Sequence, residues 1–139
     1  MYLLSINDTN LENEFFHFCR HNDVNCPDHL HYSVEIVCVT EGKLTMTVNE
    51  KEWTINEGEG IIILPFEKHS FLSKEHNRCF VLGFSPRFSQ DFYALMKDKA
   101  VDYPLCSIKR EIFALCSALL PLDSYEDILV PQVKARAII

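Results

Sequence analysis

Three histidines and one glutamate are the residues of this sequence whose types and spacing could do chemistry. His29, His31 and Glu35 lie within seven consecutive residues, and His69 follows a segment that contains a proline. If the first three lie on one extended strand, they have the same parity and their side chains project from one face. Residues 61–64 form an apolar run before His69, and antiparallel pairing would bring His69 beside the other three. Imidazole and carboxylate groups are ligands that suit Zn, Fe, Mn, Ni or Cu.

The cluster has two interpretations at this level. In the first, His29, His31, Glu35 and His69 hold a divalent metal and leave open positions for water or substrate. In the second, they form a hydrogen-bonded polar cluster that holds the rim of a pocket or contacts an organic ligand. Imidazoles with an ordinary pKa of about 6.5 would then be partly protonated near neutrality, which suits an anionic or hydroxyl-rich ligand.

The elements that must position these side chains are strands. Before residue 86, short runs rich in Val, Ile, Thr and Phe are separated by turn residues, which is typical of an all-β barrel or sandwich. Residues 43–49 and 51–56 alternate between apolar and polar, and Asn49-Glu50 between them predicts a tight hairpin turn. Three other runs are apolar on both faces and require cover on both sides, namely residues 34–39, 61–64 and 80–82.

Helices are predicted after residue 86. Residues 87–99 and 107–120 carry apolar side chains at helical spacing, with Ser107 as a possible N-cap of the second helix. The pattern of residues 123–139 predicts a final helix, which begins either at Pro131 or near Ser124 with a kink at Pro131. We therefore expect a β region over residues 1–86 and a helical region over residues 87–139 within one structural domain.

Composition limits the classes of function. The chain has 139 residues, enough for one ordinary domain, and 13 Lys+Arg against 20 Asp+Glu give a net charge of −7. Such a surface repels polyanions, so these residues alone are not expected to bind nucleic acid. The first residues resemble neither a signal peptide nor a transmembrane span, which favours a cytoplasmic protein without membrane contact.

Other patterns give no support for catalysis or for a disulfide framework. The six cysteines include no C-x-x-C pair, and reduced thiols are expected. Residues 83–87 begin like a nucleophile elbow but end in Arg87 where glycine is needed. Residues 58–63 lack the third glycine of a dinucleotide-binding loop, and no Walker lysine loop is present. The sequence therefore does not predict an enzyme of these kinds.

The spacing of the histidine cluster resembles a known family of barrels. H-x-H-x3-E-x6-G, at His29, His31, Glu35 and Gly42, resembles the first motif of the cupins, and residues 60–69 resemble the second. The sequence departs from the cupin pattern at Asp23, which replaces the leading glycine of the first motif. The second motif lacks the glycine after its proline and is one residue shorter from Pro to His, and Ser73 stands where metal-binding cupins have asparagine. The resemblance implies a cupin-like antiparallel β-barrel, or jelly roll, followed by two or three helices.

A longer series of features resembles one family more closely. The segments at residues 32–37, 41–55, 57–71 and 82–88, in this order, are similar to the N-terminal ligand-sensing and dimerisation domain of AraC-type transcriptional regulators. The similarity covers about residues 15–120. In that family a C-terminal pair of helix-turn-helix units, absent here, binds DNA, so we expect that the chain has been truncated and contacts DNA only through the absent domain.

The resemblance implies a small-molecule effector, a homodimer and no cofactor apart from a possible divalent metal. The interior residues expected to contact the effector are His29, His31, Glu35, Trp53, His69 and Phe71. The apolar stripe of the second predicted helix is the candidate dimer surface, with the alternative that it packs on its own barrel; its residues are Ile108, Ile112, Leu115 and Leu119.

Two other functions remain open. The first is a small metal-dependent cupin enzyme, an isomerase or dioxygenase, with its metal on the histidine cluster. The second is a structural dimeriser without a ligand, which is favoured if the interior is filled by the protein's own side chains.

Overall fold

The computed structural model describes residues 16–86, 90–98, 101–112 and 114, and most of these residues lie in strands. The elements are, in chain order, β1 (Phe16–Asn22), β2 (Cys26–His29), β3 (Val34–Val48), β4 (Lys51–Asn56), β5 (Glu59–Ile63), β6 (His69–Leu72), β7 (Asn77–Phe84), α1 (Gln90–Met96) and β8 (Leu105–Ser107).

One long strand connects two antiparallel sheets. The first half of β3 pairs with β7 and β5, and its second half pairs with β4 and β6. The first sheet is completed by β1 beside β7 and by β8 beside β5. The second sheet is completed by β2 beside β6. Because β3 belongs to both sheets, it fixes how the two halves of the fold face each other.

A bulge in the middle of β3 makes this passage possible. The register against β7 shifts between Val39 and Glu41, and Gly42 has a φ of 72°. Val37 and Val39 point into the core before the bulge, whereas Leu44 points into it after the bulge, so the inward parity changes by one residue. The bulge therefore turns the strand from one sheet to the other and keeps an apolar face inside each.

The predicted hairpin is confirmed. Asn49 and Glu50 have φ values of 48° and 69°, and two consecutive residues with positive φ are typical of the type I′ turn that suits the twist of a hairpin. The alternation on either side is also confirmed, because all the predicted inward residues are buried: Leu44, Met46, Val48, Trp53 and Ile55.

The first sheet is covered on both faces, as the apolar runs predict. Its inner face packs against the second sheet in a core that includes Val37, Ile61 and Val81. Its outer face carries a smaller buried cluster, and Phe92 of α1 packs against that cluster; the members are Val34, Leu82 and Phe84. The helix after residue 86 thus provides part of the outer cover.

The cysteines that the structure describes are free thiols. Cys38 and Cys79 are buried, as their apolar surroundings predict, whereas Cys106 is exposed. Burial raises the pKa of the Cys79 thiol to about 12. Cys116 lies outside the described residues.

The prediction of a closed barrel is not met. In the described part of the chain, the hydrogen-bonded order of the main sheet runs from β1 to β8 and does not close. The fold is mainly β and antiparallel, with two sheets that share β3 and pack face to face. Burial of the apolar faces is achieved by this packing, so closure of the hydrogen-bonded ladder is not needed.

The helical region also differs from its prediction. A helix is present within the predicted range 87–99, since α1 covers Gln90–Met96, while residues 87–89 and 99 lie outside the described residues. No residue of α1 is fully buried. Ser107 is the last residue of β8, and helical residues begin at 110, so Ser107 is not the N-cap of a helix. Pairing with the edge of β5 satisfies the backbone groups of residues 105–107, which explains why the apolar stripe does not start a helix there. The predicted helix in residues 123–139 lies outside the described residues.

Within the described ranges, no helix combines the length and the hydropathy that a membrane span needs.

Candidate ligand and metal site

Four predicted residues meet at one end of the space between the two sheets. His29 ends β2 and His69 begins β6, and the two residues lie directly opposite each other in the antiparallel ladder. Glu35 lies near the start of β3 in the other sheet, where it pairs with Ile63. His31 lies between β2 and β3. The site is therefore built where the chain crosses from one sheet to the other.

The prediction of one extended strand from residue 29 to residue 35 is wrong. The chain bends at residues 32–33, and β3 begins only at Val34. His29 and Glu35 consequently belong to different sheets and approach each other across the interior. Convergence comes from facing sheets and not from the shared parity of a single strand.

All four side chains are buried and close together. The Nε2 atom of His31 lies 3.2 Å from Oε2 of Glu35, and Nε2 of His69 lies 3.7 Å from Oε1 of the same carboxylate. The ring centroids of His29 and His69 are 4.2 Å apart, and those of His31 and His69 are 4.8 Å apart. Each side chain is at most 7% exposed. The site is a compact polar group within an apolar interior.

The rings of His29 and His69 are each oriented by a backbone carbonyl two residues away. Nδ1 of His29 donates to the oxygen of Pro27 at 2.8 Å, and Nδ1 of His69 donates to the oxygen of Glu67 at 2.8 Å. A carbonyl oxygen only accepts, so Nδ1 carries the hydrogen in these two rings, and Nε2 of a neutral ring has a lone pair.

His31 has a different set of partners. Its Nδ1 lies 2.9 Å from the hydroxyl of Ser33 and 3.1 Å from the carbonyl oxygen of the same residue, and its Nε2 lies 3.2 Å from the carboxylate of Glu35. Because a carboxylate only accepts, Nε2 of His31 donates to Glu35, and the Ser33 hydroxyl can donate to Nδ1.

His69 is neutral at physiological pH. Burial is the main cause that lowers its pKa to about 4, and the neighbouring His29 and His31 lower it further, against the opposing charge of Glu35. The prediction of partial protonation near neutrality is therefore wrong for His69. The Nε2 atom of His69 is buried and has no hydrogen-bond partner among the described residues, so a lone pair is directed into the site.

The donor set fits a divalent metal. One nitrogen of each of the three rings lies within 4.8 Å of the other two. Nitrogens that bind one tetrahedral zinc at about 2.0–2.1 Å are about 3.4 Å apart, so the ring nitrogens would need to approach each other by up to about 1.4 Å. Carbonyl bonds that fix Nδ1–H are the usual outer partners of metal-bound histidines. These features fit zinc or another metal that imidazole binds well.

Of the two predicted aromatic residues, one belongs to this site. The Phe71 ring centroid lies 6.1 Å from that of His69 and 6.3 Å from that of His29. Trp53 lies two strands away, because Met46 pairs with both Trp53 and Phe71. The Trp53 ring contacts Tyr103 at 5.3 Å, and the Lys51 ammonium lies 4.1 Å above it. The structure thus groups Phe71 with the histidines and separates Trp53 from them.

Two departures from the cupin pattern have structural explanations. Asp23 has a φ of 52°, a left-handed conformation that favours glycine but that aspartate also tolerates. Ser73 does not contact the histidines, because its hydroxyl donates to the oxygen of Val24 at 2.7 Å and its backbone N–H donates to Asn25 at 3.0 Å. Asp23 thus replaces the glycine without loss of the turn, and Ser73 holds a loop.

The four residues predicted to form a dimer surface have different positions. Ile108 precedes the helical residues and lies over Gly60, where a Cβ atom would be 2.7 Å from its Cδ1. Ile112 is half-buried at the start of the helical segment. Leu115 and Leu119 lie outside the described residues.

A second concave feature lies on the outer face of the first sheet and was not predicted from the sequence. The cleft has a volume of about 270 Å³ and separates α1 from the chain around residues 64–66. Its walls include none of the predicted site residues and are formed in part by Tyr32, Val34, Phe66, Phe92, Tyr93 and Lys97. An exposed phenylalanine, Phe66, is the feature of this cleft that the sequence could have indicated.

Similar solved structures include a conserved protein of unknown function from Streptococcus pyogenes (TM-score 0.49, 14% identity, 51% of this chain and 65% of the other). The Cnp3 cupin domain of Schizosaccharomyces pombe has a TM-score of 0.47 and 14% identity over 63% of this chain and 66% of the other. The polyketide cyclase RemF from Streptomyces resistomycificus has a TM-score of 0.45 and 21% identity over 50% of this chain and 54% of the other. The chain thus spans less than two-thirds of each of these three proteins.

The family is assigned from the sequence match alone, since these TM-scores are below 0.5. No curated protein matches the sequence. The profile of the AraC-like ligand binding domain matches residues 13–129, which is most of the chain. The chain belongs to the family of AraC-like ligand-binding domains.

Proposed function

We propose that the chain is the effector-sensing and dimerising domain of an AraC-type transcription regulator, acting in the cytoplasm. Its effector is a small molecule that binds at the cluster of His29, His31, Glu35 and His69. A DNA-binding domain downstream of residue 139 would receive the signal. In this role the domain binds its effector more tightly in one arrangement of the regulator than in another, because equal affinity for both arrangements would leave the equilibrium between them unchanged.

The observation that carries this proposal is the convergence of four buried polar side chains in a ligand-binding domain. Burial of such groups costs free energy, so their presence at the end of an apolar interior favours a binding role over a structural one. The carboxylate of Glu35 and the Nε2 atom of His69 can accept hydrogen bonds from hydroxyl or ammonium groups of a ligand. Phe71 provides an apolar wall beside them.

A thermal-shift screen tests the effector site. Wild-type protein, prepared with a chelator, is compared with His69→Gln and with the exposed control His76→Gln against monosaccharides, hydroxy acids and amino acids. A ligand present at about 100 times its Kd stabilises by about 2.7 kcal/mol, or several degrees in Tm. We expect the stabilisation to persist in the control and to disappear in His69→Gln. Stabilisation of both variants to the same extent would place the ligand elsewhere.

The regulatory role has a direct genetic test. We expect the reading frame to continue beyond codon 139 for about one further domain with two helix-turn-helix patterns. A stop codon directly after residue 139, with no such domain downstream, would refute the assignment to a transcription regulator.

The metal-dependent cupin enzyme is a second candidate, and the three converging imidazoles favour it. His29, His31 and His69 would hold the ion with Glu35 beside it, and the ion would act as a Lewis acid towards a bound substrate. Elemental analysis of protein purified without chelator tests this candidate, together with His31→Ala and His69→Ala. Stoichiometric metal that both variants lose favours the enzyme, whereas a metal-free dimer that a small molecule stabilises favours the sensor.

A further inference from the structure

The cleft beneath α1 has the composition of a binding site for a small aromatic molecule. Four of its lining residues are aromatic, with Tyr32 and Phe66 on one side and Phe92 and Tyr93 on the other. Its volume of about 270 Å³ is near the lower end of the range for ligand pockets, which suits a compound with a single ring. Aromatic walls favour a planar ligand, because offset and edge-to-face ring contacts add to the burial of area.

One charge defines the polarity of this cleft. Lys97 is the single charged side chain among the lining residues that the structure describes. No described carboxylate lies within 4.0 Å of its ammonium. An ammonium at the edge of an apolar cleft attracts a monoanion and orients it, with the hydrophobic part of the ligand towards the sheet.

Phe66 presents an exposed ring to the cleft from a backbone position with an unfavourable conformation. Its φ is 65°, in the left-handed region that aromatic residues rarely adopt, and its side chain is 59% exposed. The turn that holds it is fixed by the Phe66 N–H, which donates to the oxygen of His31 at 2.8 Å. The ring contacts Tyr32 at a centroid distance of 5.5 Å. Strained backbone positions cluster at ligand-binding and active sites, and this one borders the cleft.

The helix that forms one wall of the cleft leaves side chains accessible to a ligand. All residues of α1 are exposed or half-buried, and Phe92 reaches the sheet by contact with Phe84 at a centroid distance of 5.6 Å. A ligand that contacts both α1 and Phe66 would therefore bury apolar area on both walls of the cleft.

We propose that this cleft is a second small-molecule site, distinct from the histidine cluster, which binds a single-ring aromatic carboxylate. The ring packs between Tyr32 and Phe66 on one side and Phe92 on the other, and the carboxylate pairs with Lys97. This proposal does not depend on the regulator assignment, because the cleft and the histidine cluster have no lining residue in common.

The three methionines allow a test that separates the two sites. Met96 lines the cleft, Met46 lies in the interior beside Phe71, and the third is Met1. Protein labelled with ¹³C at the methionine methyl groups is titrated with phenylacetate, and Met96→Leu and Met46→Leu variants assign the signals. We expect the Met96 methyl signal to shift, with a dissociation constant of about 1 mM or lower for a ligand of this size, while Met46 stays unchanged.

The charge is tested with a neutral ligand and a matched lysine. Lys97→Met should weaken binding of phenylacetate about fivefold and leave binding of phenylacetamide unchanged. The control Lys43→Met removes a positive charge from an exposed position on β3. It should leave the binding of both phenylacetate and phenylacetamide unchanged. Phe66→Gly should weaken both ligands and keep the protein folded, because glycine accepts a positive φ at that position.

Three results would overturn the proposal. A shift of Met46 without Met96 would place phenylacetate in the interior and would support the site proposed above instead. No shift of either signal at about 10 mM phenylacetate would exclude this class of ligand from the cleft. Equal losses in Lys97→Met and Lys43→Met would show attraction of the anion to the protein in general.

Discussion

At the scale of the residue, the chemistry of the site is set by short local hydrogen bonds. His29 and His69 each donate from Nδ1 to a carbonyl oxygen only two positions away in the chain. The tautomer of these two rings is therefore fixed by the local conformation, and the assembly of the two sheets then brings Nε2 of His31 and Nε2 of His69 to the carboxylate of Glu35. The same assembly removes His69 from water and keeps it neutral.

This burial predicts how stability depends on pH. The pKa of His69 is about 4 in the folded protein and about 6.5 in the unfolded chain. Between these values the unfolded chain binds a proton that the folded protein does not, so the free energy of unfolding falls as the pH falls. We expect His69 to account for a loss of about 3 kcal/mol between pH 6.5 and pH 4. Urea unfolding at a series of pH values, in the presence of a chelator, measures this loss of unfolding free energy.

Two variants isolate this contribution from that of other groups. His69→Gln should reduce the slope of stability against pH in this range. His76→Gln removes an exposed histidine and should retain the slope. Equal slopes in wild-type protein and His69→Gln would show that His69 titrates normally.

At the scale of the element, the bulge in β3 determines the fold. The strand must change its inward parity between Val39 and Leu44, and it does so at the register shift between Val39 and Glu41, directly before Gly42. A Cβ atom at residue 42 would clash with the carbonyl oxygen of His76. The close approach of the chain at His76 and the positive φ both require glycine at this position.

Replacement of this glycine should be costly. Gly42→Ala places a side chain in the left-handed region, at about 1–2 kcal/mol, and forces the backbone at His76 to move. We expect a total loss of about 2–4 kcal/mol in the free energy of unfolding, measured by chemical denaturation.

Gly58 is the matched control for this prediction. Its φ is 84°, but a Cβ atom there would meet no described atom within 4 Å, so Gly58→Ala should cost only about 1 kcal/mol. Equal losses of unfolding free energy in Gly42→Ala and Gly58→Ala would mean that the close approach to His76 does not contribute to the cost.

At the scale of the whole molecule, the proposed dimer depends on an apolar stripe near the end of the described chain. Ile108 already contacts its own sheet above Gly60, and this contact reduces the surface that it can offer to a second copy. Ile112 is half-buried in the helical segment that follows. The stripe from Ile112 onward is therefore the part of the predicted surface that we propose for association.

Sedimentation equilibrium tests this surface. Ile112→Glu should raise the dimer dissociation constant about tenfold or more, because a charge in the centre of an apolar interface is not compensated. Ala114→Glu changes an exposed neighbour in the same segment and should have a smaller effect. If both variants dimerise like wild-type protein, the interface lies on another face.

Predictions that depend on a few adjacent residues were accurate, whereas a prediction that depends on pairing with a strand far away in the chain was not. The hairpin at Asn49 and Glu50 and the alternation around it were predicted correctly, because turn geometry and inward parity are properties of a few adjacent residues. The start predicted for the second helix at Ser107 was wrong, because residues 105–107 pair with β5, a partner more than forty positions away, whereas residues 110–112 and 114 are helical as predicted. An apolar stripe indicates burial but does not say which surface will cover it.

The sequence by itself determined which residue types could form the polar cluster, since the identity and spacing of the three histidines and the glutamate are local properties. It did not determine that His29 and Glu35 lie in different sheets, nor that His69 is neutral. Those properties depend on the packing of two sheets across β3, which sets both distance and burial. The cleft beneath α1 was also decided by the tertiary structure alone, because its walls come from segments that meet only when the helix packs on the outer face of the sheet.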